Sequence, residues 1–301
     1  MARADRRRQG PARIMTMNAA LTGKGYPAAA FPVTADATKR YARAYDEDNP
    51  WFLDDDRPGG IIAPPLFGVV VAVPALAFPI RDSDLNLDFR RALHGEQDMR
   101  FLRPMRPGDT IDTTARIEAI ESKSSGETLA IDLDSRNQDG EPVQRTRFTL
   151  FIRSAVRTRD AATVSRPPTP PARPEPMFVV EQTMQIDQPR RYADGSGDRT
   201  PIHLDEHVAT KAGLPGVIAH GLCTMAFTSK VMIDRLAGGD PTRLRRLRVR
   251  FARPVIPGQT ISTKIWPAGN EQRVFHFETY DPTGAPVITT GVAEIDPSGA
   301  E

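Results

Sequence analysis

The chain has 301 residues with a single cysteine, 26% of its residues are charged, and its formal net charge is +2. This length exceeds that of a usual single domain, so two domains or one large fused unit are expected. The small net charge gives no overall field that would attract nucleic acid, and one cysteine excludes an internal disulfide or a thiolate metal cage.

The N-terminal segment, MARADRRRQGPARIMTM, is rich in arginine but lacks the apolar run of a secretory signal. A transit peptide is one interpretation, but our prediction is a disordered extension over residues 1–30. The longest apolar stretch follows at residues 66–80, where Pro74 and Pro79 interrupt it. This stretch is shorter than the roughly 20 residues that cross a membrane, so we predict no membrane association and a cytoplasmic location.

Two long segments of the chain share one pattern. The segment MRFLRPMRPGDTIDT at residues 99–113 matches VRFARPVIPGQTIST at residues 249–263. Upstream, residues 60–63 match residues 216–219, and a Tyr-Ala pair followed by a proline also recurs. A period this long indicates duplicated domains and excludes a solenoid of short repeats.

Each copy predicts the same order of elements: a helical Tyr-Ala segment, a loop, an apolar helix and then several strands. In the second copy the apolar helix is expected over residues 221–235, and a strand over residues 246–251, where arginines alternate with apolar side chains. One long helix followed by antiparallel strands indicates an α+β fold with the sheet wrapped around the helix. Edge-to-edge pairing of the two sheets would cover their exposed edge strands.

A proline-rich segment separates the copies. SRPPTPPARPEP at residues 165–176 contains six prolines, which forbid a helix and favour an extended spacer. We therefore predict a first unit over residues 31–155, a linker over residues 156–177 and a second unit over residues 178–301.

The second copy carries SGDRTPIHLD at residues 196–205 and GVIAHGL at residues 216–222. Asp198 and His203 can hold a water molecule and transfer its proton. Gly221, where a loop enters a helix, can donate its N–H to a carbonyl oxygen that gains charge. Each side chain alone could instead be a helix cap or an interior histidine, but the downstream His-Gly pair favours a functional site.

The first copy lacks these groups. Glu47 and Phe52 stand where the second copy has its aspartate and histidine, and Pro65, which has no N–H, stands where the second copy has its glycine. We therefore predict that the second unit carries out the chemistry and that the first unit shapes the binding site.

In this order the motifs resemble those of type 2 enoyl-CoA hydratases, the MaoC-like double hotdog proteins, which include the hydratase part of peroxisomal multifunctional enzymes. The resemblance covers the chain after Phe31. The motifs that carry it are SGDRTPIHLD, IAHGLCT at residues 218–224, RFARPVIPGQTISTKIW at residues 250–266 and LHGEQ at residues 93–97.

The resemblance implies two tandem hotdog units and reversible hydration of trans-2-enoyl-CoA to (3R)-3-hydroxyacyl-CoA. It implies no metal or redox cofactor, with the CoA thioester as substrate. It assigns acid-base catalysis to Asp198 and His203, without dividing the two roles, and the oxyanion donor to the N–H of Gly221. The first unit would bind the acyl chain, and a homodimer is expected.

The resemblance also implies substrate contacts, and these are expected at His94, Gly95, Lys123, Thr200 and Phe251. The family commonly has asparagine at position 200. Threonine lacks the amide group that can donate and accept at once, so water or substrate positioning is expected to differ here.

Two alternatives stay open. One is a dehydratase for branched, dicarboxylic or ring-bearing thioesters, or for thioesters bound to an acyl carrier protein, which would then be a partner. The other is a thioester-binding subunit without catalysis. Turnover of acyl-CoA against acyl-carrier substrates would separate the first alternative from an acyl-CoA hydratase, and thioester binding without turnover would identify the second.

Other motifs carry less weight. His203 and His207 are four residues apart, but Leu204 occupies the glutamate position of an HExxH zinc motif, so we predict no metal site. A strand with one solvated face accounts for the arginines in residues 243–253, and no stacking aromatics alternate with them, so we predict no nucleic-acid partner. Cys223 is expected to be a small buried residue.

Overall fold

The structure, a computed structural model, describes residues 16–154, 174–269 and 273–297. The described part of the first unit contains β1 (Ala29–Pro32), α1 (Ala35–Arg43), α2 (Pro50–Leu53), α3 (Gly68–Ile80), β2 (Ala92–Phe101), β3 (Thr110–Lys123), β4 (Gly126–Arg136) and β5 (Pro142–Arg153). That of the second contains β6 (Phe178–Thr183), α4 (Gln188–Ser196), α5 (Glu206–Lys211), α6 (Gly221–Leu236), β7 (Leu244–Phe251), β8 (Thr260–Pro267), β9 (Val274–Tyr280) and β10 (Pro286–Ile295).

The strands form one antiparallel sheet, which has ten strands in the described part of the chain, in the order β1-β3-β4-β5-β2-β7-β10-β9-β8-β6. The two units meet where β2 pairs with β7, with Gln97 opposite Val249 and Met99 opposite Leu247. Edge-to-edge pairing of the two sheets is thus confirmed. Each unit has a long helix packed on its own part of the sheet, as a double hotdog requires.

The long helices hold the core. α3 packs on β1, β3 and β4, while α6 packs on β6 and β7. α6 buries residues along most of its length, including Met225, Phe227 and Ile233. A helix that is apolar on several sides belongs in an interior, so α6 is enclosed between the sheet and the first unit. None of the described helices is both long and apolar enough to span a membrane.

The predicted alternation in β7 is confirmed. Leu247 and Val249 are buried, whereas Arg246 faces outward and contacts carboxylates on both neighbouring strands. Its guanidinium lies 2.7 Å from the carboxylate of Asp98 on β2 and 2.8 Å from that of Glu294 on β10. Both faces of β7 therefore join the two units, one through apolar packing and the other through charge.

An internal pseudo-twofold relationship is visible at the Tyr-Ala segments. Tyr41 in α1 and Tyr192 in α4 are fully buried, and their hydroxyl oxygens lie 3.1 Å apart. A Cβ added to Gly195 would come within 2.7 Å of the Cβ of Ala44, so a glycine is needed where α4 crosses α1. Equivalent residues of the two copies thus contact each other at the centre of the molecule.

The N-terminal prediction is wrong for residues 16–30. Met17 is buried, the N–H of Asn18 donates to the carbonyl of Leu85 at 3.1 Å, and β1 pairs with β3. This segment covers the outer edge strand of the first unit, which would otherwise expose unpaired backbone groups. Residues 1–15, and the linker except for residues 174–177, lie outside the described residues.

Candidate active site

The aspartate of the site follows the end of α4. Gly197 has a φ of +79°, in the left-handed region where glycine is favoured, so the chain turns sharply after Ser196. The N–H of Asp198 then donates to the hydroxyl of Ser196 at 3.2 Å. This turn directs residues 198–203 back towards the start of α6.

Thr200 makes two hydrogen bonds to the carboxylate of Asp198. Its N–H and its hydroxyl donate to the same oxygen, Oδ1, at 3.0 Å and 2.6 Å. Burial raises the pKa of Asp198, but the two Thr200 hydrogen bonds and the nearby imidazoles of His203 and His220 together hold that pKa below its ordinary value. Asp198 is therefore a carboxylate at neutral pH.

His203 lies in a 3₁₀ turn, Pro201–His203, and its tautomer is fixed by the backbone. Nδ1 lies 2.8 Å from the carbonyl oxygen of Ile218, which can only accept, so Nδ1–H is the donor. Nε2 therefore presents a lone pair. Burial lowers the pKa of His203, despite the opposing effects of Ile218 and Asp198, so the neutral ring is favoured at pH 7.

His220, at the N-cap of α6, completes the cluster. Its Nε2–H donates to the backbone carbonyl of Asp198 at 3.0 Å, and its ring stacks on that of His203 with 3.9 Å between centroids. Burial, followed by the neighbouring His203, lowers the pKa of His220 to about 4. Nδ1 of His220 is buried and has no hydrogen-bond partner among the described residues.

Sequence reasoning did not assign a role to His220. The signal was available, because IAHGL lies directly before the apolar helix and the first copy has Pro64 in place of this histidine. A single histidine beside apolar residues is usually structural, and only the three-dimensional contact with His203 separates the two interpretations.

Gly221 is the first residue of α6, where backbone N–H groups have no partner within the helix. A Cβ at this position would come within 3.2 Å of the ring of Phe251, at the end of β7. Glycine therefore lets Phe251 lie against the helix terminus. The 16-residue helix places the positive end of its dipole at this N–H.

The first unit contributes His94 to the same region. Its ring lies 4.8 Å from that of Phe251 and 4.2 Å from that of Phe148, and Nε2 lies 3.0 Å from the side-chain oxygen of Gln97. Gly95 is the extra residue of a β-bulge between His94 and Glu96. Such a bulge interrupts the regular alternation of side chains between the two faces of the sheet, and this one lies directly after His94.

Burial lowers the pKa of His94 to about 4, and Asp198 is near enough to oppose this shift. His94 is therefore a neutral ring packed among aromatic side chains. It can line the path of an apolar group, but at neutral pH it would not bring a positive charge to a phosphate.

Lys123 is not brought into this cluster. It is the last residue of β3, and its ammonium lies 3.6 Å from the carboxylate of Glu121. Strands β4 and β5 separate β3 from β2, where His94 lies. The implied substrate contact by Lys123 therefore receives no support from these contacts, whereas His94, Gly95, Thr200 and Phe251 are near the catalytic candidates.

The equivalent region of the first unit holds an ion pair and a small cavity. Glu47 is buried, and its carboxylate lies 3.3 Å from the ammonium of Lys230, which extends from α6. Pro65 and Phe101, at the positions of Gly221 and Phe251, line a small cavity of about 60 Å³. A structural ion pair thus replaces the acid-base pair of the second unit.

Three potential metal donors also meet in the second unit. One ligand atom each of Asp198, His203 and His220 lies within 4.8 Å of the other two. This set contains His220 and not His207, the histidine that the sequence pairs with His203 at a spacing of four residues. His207 is exposed on α5. The two imidazole planes are inclined by only 27°, so their in-plane lone pairs do not converge well on one ion.

Comparison with known proteins identifies the family of the chain. Residues 169–283 match the family model described as MaoC like domain, and residues 20–146 match one described as FAS1-like, dehydratase domain region. Over 199 residues the chain is 32% identical to 3-hydroxyacyl-thioester dehydratase Y of Mycobacterium tuberculosis. This match covers 64% of this chain and 68% of that protein.

A second relative is the peroxisomal multifunctional enzyme type 2 of Mus musculus, 31% identical over 246 residues. That match covers 78% of this chain but only 32% of the mouse enzyme. The solved structure of a MaoC-like dehydratase from Phytophthora capsici superposes with a TM-score of 0.78 at 24% identity, covering 93% of this chain and 97% of the other. The chain belongs to the MaoC-like family of double hotdog proteins.

Proposed function

We propose that the chain is a hydro-lyase that interconverts trans-2-enoyl-CoA and (3R)-3-hydroxyacyl-CoA. The observation that carries this proposal is the meeting of two proton acceptors at a helix N-terminus. The Asp198 carboxylate and a ring nitrogen of His203 lie within 4.8 Å of each other, and Gly221 begins α6 beside them.

This separation suits one water molecule. A water that hydrogen-bonds to both groups at about 2.8 Å can bridge acceptors up to about 5.6 Å apart. Because Asp198 is ionised and Nε2 of His203 has a lone pair, both groups accept, and the water donates both of its protons. Its oxygen lone pairs are then free to attack the β-carbon of an enoyl thioester.

The atoms balance without another reagent. The water oxygen bonds to the β-carbon, one of its protons passes to Asp198 or His203, and a proton is delivered from that side to the α-carbon. In the dehydration direction each step reverses. The coupled pair can share the acid and base roles, so we do not divide them.

Negative charge develops on the thioester oxygen as the water adds. The N–H of Gly221 donates to this oxygen, supported by the dipole of α6. This arrangement supplies the groups that the addition requires. We therefore propose a reaction without a metal or redox cofactor.

The acyl chain is proposed to lie along the first unit. Phe251 and His94 form a wall that leads from Gly221 to Phe148, and Phe148 packs against the core cluster formed by α3 and the strands of the first unit.

A branched or ring-bearing acyl group stays the alternative substrate. A thioester-binding subunit without catalysis is disfavoured, because Asp198, His203 and Gly221 are all present and close together. Comparison of substrates will decide between the linear and the bulky acyl group.

The test is loss of enoyl absorbance when the purified chain meets short, long and branched trans-2-enoyl-CoA esters. Asp198→Asn and His203→Ala should each lower turnover about a hundredfold or more, as expected for positioned acid-base groups. His207→Ala, on the exposed face of α5, is the matched control and should retain activity. Absence of turnover with every ester, in a folded protein, would refute the proposal.

A homodimer, a cytoplasmic location and an acyl carrier protein as alternative partner are further proposals. Family membership supports the homodimer, and the single buried cysteine is compatible with a reducing compartment. Light scattering of the purified chain tests the dimer. Turnover of the same acyl group on CoA and on a carrier protein tests the partner.

A further inference from the structure

We propose that Thr200 is a positioning residue that holds one oxygen of the Asp198 carboxylate and leaves the other oxygen for the reacting water. This inference rests on the proposed hydratase function. It replaces the substrate contact that the family resemblance implied for position 200.

The hydrogen bonds around Asp198 are one-sided. Both donors of Thr200 reach Oδ1, at 3.0 Å from the backbone nitrogen and 2.6 Å from the hydroxyl oxygen. Within the described part of the chain, Oδ2 accepts no hydrogen bond. A carboxylate held in this way cannot rotate freely, and its Oδ2 is left to accept a hydrogen bond from water.

The turn that creates this arrangement recurs in the same chain. Thr242 donates to Asp240 Oδ1 at 2.9 Å from its nitrogen and 2.6 Å from its hydroxyl, and Thr283 donates to Asp281 Oδ1 at the same two distances. In these three loops an aspartate followed two residues later by threonine closes this turn with its own local groups. The arrangement at Asp198 therefore needs no substrate to form it.

What distinguishes the Asp198 turn is its surroundings. Asp240 caps a 3₁₀ turn and Asp281 lies in the turn between β9 and β10, whereas Asp198 faces the stacked rings of His203 and His220. At Asp240 and Asp281 this local geometry only closes a turn. At Asp198 the same geometry orients a carboxylate towards a histidine lone pair. Thr242 and Thr283 are consequently internal controls for the structural effect of losing the hydroxyl.

The experiment compares three substitutions by kcat and KM for an enoyl-CoA ester. Thr200→Val keeps the shape and the backbone N–H but removes the hydroxyl, and Thr200→Ser keeps both donors. Thr283→Val removes the equivalent hydroxyl in the turn between β9 and β10. Thr200→Val should lower kcat about three- to tenfold with little change in KM, as expected for the loss of one solvent-exposed hydrogen bond while the backbone donor stays. Thr200→Ser should retain activity, and Thr283→Val should not change it.

A second measurement observes the carboxylate directly. Titration of its carbon-13 resonance, assigned by its loss in Asp198→Asn, should show a higher pKa for Asp198 in Thr200→Val and the original value in Thr200→Ser. Direct observation is needed because His203 and His220 also titrate next to Asp198 and contribute to any pH profile of activity.

The outcomes separate this inference from the proposed function. An unchanged kcat and an unchanged Asp198 titration in Thr200→Val would overturn the inference, as would an equal loss of kcat in Thr283→Val. If the parent chain turns over no enoyl ester, the proposed function fails. The titration alone then decides whether Thr200 controls the carboxylate.

Discussion

The ring of His220 stacks on the ring of His203 with 3.9 Å between centroids, while its Nε2–H holds the backbone carbonyl of Asp198 at 3.0 Å. One side chain thus touches both members of the proposed acid-base pair. It fixes the plane of the imidazole and the path of the backbone that carries the carboxylate. Because His220 is also the N-cap of α6, the same residue connects the proposed pair to Gly221, the proposed oxyanion donor.

We predict that His220→Phe lowers kcat about tenfold or more while the protein remains folded. Phenylalanine keeps a stacking ring but cannot donate to the carbonyl of Asp198, so the carboxylate loses its backbone support. The measurement is kcat for an enoyl-CoA ester, with circular dichroism as the check of folding. Full activity of this variant, with His207→Ala as control, would show that the contact to Asp198 is dispensable.

Stability should fall as the pH falls from about 6.5 to about 4. Burial lowers the pKa of both His94 and His220 to about 4, below the ordinary value of 6.5 that each recovers on unfolding. Between these values the unfolded chain binds more protons, so acid favours unfolding and the contribution is fully present only above pH 6.5. Because one pKa unit corresponds to about 1.4 kcal/mol, the expected loss in the free energy of unfolding is about 3 kcal/mol for each histidine over this range.

Urea unfolding at pH 7 and pH 5 measures this loss. The lowered pKa of Asp198 also destabilises the fold in acid, but only below its ordinary value of 3.8, so it does not contribute between pH 7 and pH 5. His94→Phe separates the contributions. This variant should lose less stability than the parent chain between the two pH values, and an equal loss would contradict the role given to His94.

Much of the fold could be predicted from the sequence, because duplication and alternation are local patterns. The repeated Pro-Gly segments indicated two units, and the alternating arginines indicated a half-buried β7. The edge-strand role of residues 29–32 could not be predicted, because it depends on β3, which is distant in the chain.

The site was only partly predictable for a similar reason. Asp198, His203 and Gly221 stand in dense motifs whose residue types indicate acid-base chemistry, and the structure brings them together. The role of His220 required knowledge of its stacking partner, and that of Thr200 required the direction of its hydroxyl. Lys123 was placed by family resemblance alone, and the strands between it and His94 separate it from the site.

Gly221→Ala should impair catalysis more than folding. Alanine is well tolerated at the start of a helix, but its Cβ would lie within 3.2 Å of the Phe251 ring. This contact would displace either the helix terminus or the ring. Because the N–H must be aimed at the thioester oxygen, we expect a decrease in kcat of about tenfold or more. The measurement is kcat beside the melting temperature.

The double variant Gly221→Ala with Phe251→Leu is the control for this steric explanation. A smaller, flexible side chain at position 251 gives the new methyl group room. The double variant should therefore be less impaired than the sum of its two single changes predicts. Simple additivity would contradict a clash between these two residues.

The junction between the units should be sensitive to Arg246. This side chain is 19% exposed and contacts Asp98 on β2 and Glu294 on β10. Arg246→Met therefore removes the ion-pair partner of Asp98 and leaves Glu294 with Arg100 at 3.4 Å. We expect a loss of about 1–3 kcal/mol in the free energy of unfolding, measured with urea. Arg250→Met is the matched control on the same strand, because that arginine is 63% exposed and lies 4.0 Å from its nearest carboxylate.

Metal ions should inhibit the protein and should not activate it. The proposed addition of water uses only the two proton acceptors and a backbone N–H, so incubation with a chelator is expected to leave turnover unchanged. Added zinc can bind Asp198 and one of the two imidazoles, whose donor atoms lie within 4.8 Å of the carboxylate, and would then occupy the position of the reacting water. Turnover should fall with zinc and return with chelator. Loss of activity on chelation, restored by a metal ion, would instead show that these three residues form a catalytic metal site.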